Sequence, residues 1–313
     1  MLAQAITLVE STLPQDQQLA ADLIQQIHHV TGNSIRVGIT GVPGVGKSTL
    51  IEALGNLLVN ERKNVAVLTI DPSSPLTRGS ILGDKTRMEL LSKNPNVFVR
   101  STAAGSSLGG VAARTREAML LCEAAGYDVV IIETVGVGQS EIAVRGMVDF
   151  FLLLMLPGAG DELQGIKKGI VEMADAIAIT KADGHDGERA RKAKMEYEHA
   201  LSLVTSTASG WKPQVLTTSA LTDGGVDNVW TAVKEYAAIT TSSGYFSENR
   251  KRQNVSWCRD HFNMLLQHDY ERFADLKREI KGIEDLVAEQ TLSPPAAAQK
   301  ILALYHRAIR STP

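Results

Sequence analysis

The run Gly41-Val42-Pro43-Gly44-Val45-Gly46-Lys47-Ser48-Thr49 constrains the fold of this chain more than any other stretch, because its pattern belongs between a β-strand and an α-helix. It fits G-x-x-x-x-G-K-[ST]. In such a loop the glycines let successive backbone N–H groups turn inward onto a polyphosphate. The lysine reaches the β- and γ-phosphates, and the hydroxyl after it takes a place on Mg²⁺. The flanks agree with the pattern. Ile35 to Thr40 reads as a short strand, and Thr49 to Val59 as a helix with Leu50, Leu54, Leu57 and Leu58 along one face. That helix would aim its unpaired N–H groups and positive dipole end at the phosphates. A nucleoside triphosphate with Mg²⁺ is the expected ligand.

The rest of the chain is organised around that unit. Residues 2–30 carry two helical patterns split at Thr12-Leu13-Pro14, and Gly32-Asn33 ends the second. From 34 to 240 strand and helix alternate, with strand-like runs at 64–70, 97–100, 128–133, 149–156, 175–180 and 214–218. Helical patterns fall near 83–93, 110–125, 165–173, 186–208 and 226–239. Val129-Val130-Ile131-Ile132 is apolar on both faces, as a parallel strand between two helical layers must be. The expectation is an α/β fold: a doubly wound, mostly parallel sheet with its ligand at the carboxyl ends of the strands. After Thr240-Thr241-Ser242-Ser243-Gly244 only helical patterns remain. They carry Trp257, Phe262, Leu265, Leu266, Phe273, Ile280, Ile283 and Val287, then, beyond Ser293-Pro294-Pro295, Ile301, Leu302, Leu304, Tyr305 and Ile309. The domains expected are an N-terminal helical segment over 1–32, a P-loop domain over 33–240 and a C-terminal helical extension over 241–313. That extension either folds back on the main domain or docks against a second copy.

Charge and cysteine content narrow the classes. With 313 residues the chain can bury a large core, and its net charge of −3 gives no electrostatic case for nucleic acid or an anionic membrane. No apolar run reaches the roughly 18–20 residues that span a bilayer, and the N-terminus lacks a basic-then-apolar signal. Cys122 and Cys258 have no metal-ligand spacing and read as thiols of a reducing compartment. A cytoplasmic location is expected.

Acidic residues stand where a magnesium nucleotide needs them. Asp71 ends one strand and opens Asp71-Pro72-Ser73-Ser74-Pro75, Asp84 follows in Leu82-Gly83-Asp84-Lys85, and Glu133 ends another strand and opens Glu133-Thr134-Val135-Gly136-Val137-Gly138-Gln139. Mg²⁺ takes oxygen ligands and keeps several waters beside one or two carboxylates. The three acids, with Ser48, are therefore the candidate metal ligands, divided between direct and water-mediated roles; each acid alone also suits a cap or a turn. Glu133-x-x-Gly136 resembles the switch of GTPases, whose glycine N–H bonds the γ-phosphate and moves after hydrolysis. Lys47, Glu133 and Gly136 are the candidate catalytic residues. Val137 stands where Ras-like enzymes place a water-orienting glutamine, and valine cannot orient water. Unassisted turnover should be slow. A group supplied in trans, like an arginine finger, is worth about 10³–10⁵ in rate, or roughly 4–7 kcal/mol.

The base is indicated by Thr180-Lys181-Ala182-Asp183, which resembles the N-K-x-D guanine signature with threonine in place of asparagine. Asp183 can accept hydrogen bonds from the guanine N1–H and 2-amino groups, which adenine lacks, and such a site discriminates strongly. It can also serve as a helix N-cap. Lys181 can lay its alkyl stem across the ring. Thr218-Ser219-Ala220-Leu221 matches the loop that backs the guanine O6 with a backbone N–H, which makes Ser219, Ala220 and Leu221 the remaining nucleotide-site candidates.

Taken together, GVPGVGKST at 41–49, DPSSP at 71–75, GDKTRM at 83–88, ETVGVGQSE at 133–141, LPGAGDELQGIKKG at 156–169 and TKAD at 180–183 resemble the MeaB-type GTPases. This family is also known as ArgK or LAO/AO transport ATPases and includes the methylmalonic aciduria type A protein. The resemblance runs from Ala3 into the C-terminal helices. Many relatives carry more residues ahead of the first helix, so the present start reads as a short one. The resemblance implies a P-loop GTPase domain binding GTP or GDP with Mg²⁺, and a homodimer formed through the helical extension. It implies as partner an adenosylcobalamin-dependent methylmalonyl-CoA mutase or a related acyl-CoA mutase. The implied role is to gate cobalamin loading and to protect or reactivate that mutase. It gives Lys47 and Ser48 the phosphate and Mg²⁺, Asp71, Asp84 and Glu133 the magnesium and switch roles, and Asp183 the base. Gly158 to Lys168 matches an additional switch. Histidine-rich or Cys-x-Cys-Cys stretches of metal-delivering cousins are absent from the sequence. Two other readings stay open: an ATP-dependent kinase acting on periplasmic lysine/arginine/ornithine-binding transport proteins, and a nucleotide-gated interaction module without catalysis.

Overall fold

Strands β1 (Ile35–Gly41), β2 (Val65–Asp71), β3 (Val97–Ala103), β4 (Val129–Thr134), β5 (Phe150–Met155), β6 (Ala176–Ile179) and β7 (Gln214–Thr217) form one sheet in the computed structural model, in the order β3-β2-β4-β1-β5-β6-β7. Every ladder between them is parallel. The sheet is thus fully parallel where a mostly parallel one was expected. The structure describes residues 1–71, 88–103, 108–134, 140–158, 168–202, 208–222, 224–272 and 274–311.

Helices follow the expected alternation. They are α1 (Leu2–Glu10), α2 (Pro14–Ile27), α3 (Lys47–Asn60), α4 (Glu89–Ser92), α5 (Leu108–Ala124), α6 (Ser140–Arg145), α7 (Lys168–Met173), α8 (Gly187–Ser202), α9 (Val226–Ser242), α10 (Tyr245–Arg272), α11 (Ala274–Ala288) and α12 (Pro294–Ser311). Pro14 stands in the first turn of α2, where its missing N–H leaves no bond unmade. The turn 28–30 is 3-10 and ends ahead of Gly32. The patterns read over 83–93, 165–173 and 186–208 are helical in their described parts, at Glu89–Ser92, Lys168–Met173 and Gly187–Ser202.

Strand alternation sorts the core onto two faces. Val37, Ile39, Val129, Ile131, Phe150 and Leu152 point to the layer of α3 and α9, with Leu50, Ile51, Leu54 and Leu58 of α3 buried against them. Each such side chain contributes about 1.5–3 kcal/mol relative to exposure. Val130, Ile132 and Phe151 point the other way, onto α1, α2 and α5. A third cluster, with Ile177, Ile179, Ala190 and Tyr197, seats α8 on the β5–β7 side. From β1 the chain steps to β2 and β3, returns to β4, and then adds β5–β7 on the other side of β1. That reversal makes the carboxyl end of β1 a switch point in the topology, where ligands of such sheets bind.

The chain folds as two compact units, Met1–Asn254 and Val255–Pro313. In the second, Leu276, Ile280 and Ala297 are buried, while Val255, Phe262, Leu265, Leu302 and Ile309 are exposed. Among the described residues no helix is long and apolar enough to cross a membrane.

Candidate functional site

The loop after β1 is shaped by its glycines. Gly44 and Gly46 hold φ of 79° and 101°, in the left-handed region that side chains disfavour, and no atom of the described residues lies within 4 Å of where a Cβ would sit. Their outer face is open to a ligand. Val45 turns the other way and is fully buried in the core, which pins the loop between its two glycines. A turn closes from Val45 N–H to Val42 O at 3.2 Å, and Gly46 is the N-cap of α3, so the first N–H groups of that helix leave the same loop. Pro43 is exposed, Val42 half-buried, and Gly41 ends β1 beside Leu154.

Lys47 opens α3 and is only 8% exposed. Its ammonium lies along the loop, donating to Gly41 O at 2.7 Å and Val42 O at 3.2 Å. Ser48 is half-buried and donates to Glu133 Oε1 at 3.2 Å, whereas Thr49 is exposed. Of the two adjacent hydroxyls, Ser48 is therefore the one that meets an acid. Glu133, 8% exposed, occupies β4 between Ile39 of β1 and Thr69 of β2. One step further, Thr134 Oγ1 donates to Thr40 Oγ1 at 2.7 Å and ties β4 to β1 beneath the loop. Asp71 is the last residue of β2, at the same end of the sheet as Glu133 and Thr134. Asp84, Gly136, Val137 and residues 159–167 of the additional switch lie outside the described residues.

The base-loop residues assemble at the ends of β6 and β7. Lys181 is exposed with φ of 54°, a left-handed turn that carries the chain off β6. Asp183 holds the N-cap position of a 3-10 turn over Gly184–Asp186, yet makes no side-chain capping bond. The capping explanation for this residue thus lacks its defining hydrogen bond. The loop is tied to its neighbour by Ala182 N–H on Thr218 O at 3.2 Å, and Ser219 is braced by its N–H on Gly224 O at 2.8 Å. Ala220 packs against the core, and Leu221 is 81% exposed. Thr218 Oγ1 and Ser219 Oγ are buried without a hydrogen-bond partner among the described residues.

One residue was missed as a contributor. Thr180 stands where the guanine signature has asparagine, and its hydroxyl, 5% exposed as a residue, donates to Val45 O at 2.7 Å with Met155 O at 3.2 Å. It joins the base loop to the phosphate loop. The sequence signal was the hydroxyl itself, kept at the one position of the motif that precedes the lysine.

Three predicted groups thus converge on one edge of the sheet: the glycine loop with Lys47, the Ser48–Glu133 pair, and the 180–183 loop fastened to Val45. Among the described residues no three His, Cys, Asp or Glu side chains cluster as metal ligands.

Comparison with known proteins bears on this arrangement. Residues 2–272 match the family model described as methylmalonyl Co-A mutase-associated GTPase MeaB. The chain is 46% identical over 300 residues to GTPase ArgK of Escherichia coli, covering 96% of this chain and 91% of that protein. It is 41% identical over 317 residues to the mitochondrial methylmalonic aciduria type A homolog of Mus musculus, covering 97% and 76%. Among solved structures, one described as an LAO/AO transport system kinase superposes with a TM-score of 0.77 at 39% identity, covering 97% of this chain and 92% of that one.

Proposed function

Because the chain belongs to the MeaB family of methylmalonyl Co-A mutase-associated GTPases, we propose that it is a Mg²⁺-dependent GTPase serving an adenosylcobalamin-dependent methylmalonyl-CoA mutase or a related acyl-CoA mutase. In this role it gates cobalamin loading and protects or reactivates that enzyme. The observation that carries the reading is the meeting of Ser48 and Glu133 at 3.2 Å beside the open face of Gly44 and Gly46.

The residues present fit a magnesium nucleotide. Gly44 and Gly46 leave room where a Cβ would intrude, and Ser48 and Glu133 supply hard oxygen donors. When bound, Mg²⁺ would neutralise charge on the phosphates between which the bond breaks. The chain's own residues do the rest. Lys47 transfers its donors from Gly41 O and Val42 O to phosphate oxygens, a short swing for a buried ammonium already in the loop. Glu133 holds the Ser48 hydroxyl in place. Asp183 accepts the paired N–H groups of guanine, and the unpartnered Thr218 and Ser219 hydroxyls offer further polar contacts at that edge. Asp71, Asp84 and the Gly136 N–H complete the proposed metal and γ-phosphate contacts. With Val137 after the glycine, intrinsic turnover is slow and a partner sets its rate.

The exposed apolar residues Val255, Phe262, Leu265, Leu302 and Ile309 support a homodimer formed through the C-terminal helices. The kinase named for one solved relative is the competing activity. It requires adenine and stable phosphate transfer to a protein, and Asp183 argues against the first. Nucleotide competition followed by single-turnover GTP cleavage, with and without a cobalamin mutase, tests the proposal. Guanine nucleotides should bind at least about 100-fold more tightly than adenine ones, and the mutase should accelerate cleavage. Equal affinities, or cleavage indifferent to the mutase, would sink it.

A further inference from the structure

The amino-terminal edge of the sheet, opposite the loops, holds buried charges that nucleotide binding does not use. Asp149, immediately ahead of β5, is 2% exposed. Its Oδ2 accepts the Arg36 backbone N–H at 2.8 Å, and its two oxygens accept Arg250 Nε at 2.7 Å and Nη2 at 2.6 Å. Arg250 also donates from Nη2 to Ser34 O at 2.6 Å and from Nη1 to Gly32 O, with the Phe246 ring 4.6 Å from its guanidinium carbon. Three residues along α10, Gln253 donates to Val148 O at 2.8 Å. The first turns of α10 are thereby fixed to the backbone at 32–34 and 148–149.

The same short stretch receives α6. Arg145, the last residue of α6, pairs with Asp175 at 3.0 and 3.2 Å and reaches Asp149 O at 3.5 Å. Asp175 in turn accepts Phe151 N–H at 2.9 Å. Between Arg145 and Asp149 the chain turns through Met147 and Val148, both buried with Val144 in the core under α5. Arg116 of α5 adds a bond to Gly146 O at 3.2 Å. At its other end α6 begins at Ser140, directly after the stretch that carries Gly136.

We infer that Arg145, Asp149 and Arg250 form a positioning link through which the nucleotide-dependent placement of α6 sets the placement of the first turns of α10. The inference rests on the GTPase reading above, because it takes the stretch after Glu133 as the switch. Its physical basis is that a buried carboxylate and guanidinium cannot part without leaving an uncompensated charge out of water. A shift of 145–149 is therefore followed by Arg250 rather than absorbed at the contact. The two-pronged geometry passes on direction as well as distance, which a single ammonium contact would not.

Hydrogen exchange on the full chain, loaded with GDP or with a non-hydrolysable GTP analogue, tests the link. Loading is first verified by titration. In the wild type the amides of 245–254 should exchange about threefold or more differently between the two states, together with those of 140–145. Arg250→Lys keeps the charge but removes the fork on Asp149, so it should keep the difference at 140–145 and lose it at 245–254. The link is overturned by wild-type exchange at 245–254 that ignores the nucleotide while 140–145 responds. It is equally overturned by an unchanged 245–254 response in Arg250→Lys. The wild-type comparison decides the matter alone should that variant not fold. Failure to bind either guanine nucleotide would instead overturn the GTPase reading and the link with it.

Discussion

Thr180→Val is the substitution that best separates positioning from base reading. Valine keeps the shape of threonine and removes only the hydroxyl that bridges to Val45 O at 2.7 Å. The Val45 carbonyl left buried without its donor costs about 1–3 kcal/mol, which is the loss expected. In the variant the phosphate loop is no longer held to the base loop, and part of its ordering falls on the binding step. If the whole amount appears in binding, affinity drops by about 5- to 150-fold. Phosphate contacts are shared by all nucleotides, so GDP and ADP should weaken by the same factor and their ratio should stand. Titration calorimetry with both nucleotides, alongside urea melts, gives the two numbers. Thr180→Ser restores a hydroxyl and should recover most of the loss. The reasoning is refuted if Thr180→Val changes neither affinity nor stability, or if it weakens GDP alone.

Three further outcomes are expected. Asp183→Asn removes the acceptor for the guanine N–H pair and should compress the GDP-to-ADP affinity ratio by about 100-fold or more, read by competition binding. Ser48→Ala should leave nucleotide binding without Mg²⁺ almost intact and abolish most of the tightening that added Mg²⁺ produces, read by titration at both conditions. Burial pushes the Glu117 carboxyl up to about 7, against the pull of Arg114. A raised acid pKa means the folded state holds the proton more tightly, so this contribution is full below pH 4.5 and lost as pH rises through 7. The shift corresponds to about 3 kcal/mol at most. Glu117→Gln should therefore gain stability relative to the wild type by up to that amount between pH 4.5 and 8 in urea melts, and a constant difference would refute the assignment.

The fold was legible because parallel strands buried on both faces leave a run of branched apolar residues. Val129-Val130-Ile131-Ile132 and Phe150-Phe151-Leu152-Leu153-Leu154 could be placed without their neighbours. The phosphate loop was legible for a different reason: its chemistry is local in sequence. The Ser48–Glu133 contact was foreseen only as two separate candidates, since residues 85 apart meet solely through the pairing of β1 with β4. Thr180 and the Arg250 cluster were not foreseen. The Thr180 hydroxyl was a signal that named no partner, and an arginine on a polar helix carries no pattern of its own. Their meaning lies in partners more than 100 residues away, as Val45 is for Thr180 and Asp149 for Arg250.

The two edges of the sheet hold different work, and the strands between them limit how the edges can communicate. β1 runs from Ile35, next to Arg36 whose N–H bonds Asp149, to Gly41, where the glycine loop begins, and it is hydrogen-bonded to β4 and β5 on its two sides. Val37 and Ile39 are fully buried, and a Cβ on Gly38 would come within 3 Å of Phe151, Val144 and Val148. A strand packed this closely does not slide between its neighbours, because interiors at crystal density respond to displacement by discrete repacking. Motion at the glycine loop is therefore not passed along β1 to Asp149 and Arg250. α6 offers another route: one short helix that begins at Ser140, directly after the proposed switch stretch, and whose last residue reaches Asp149 O at 3.5 Å. Its buried face, with Val144, lies on the same core as Met147 and Val148, so a change there bears on the segment that leads into Asp149. A polar link at the amino edge is useful in this fold because the central sheet is too rigid to carry the signal itself.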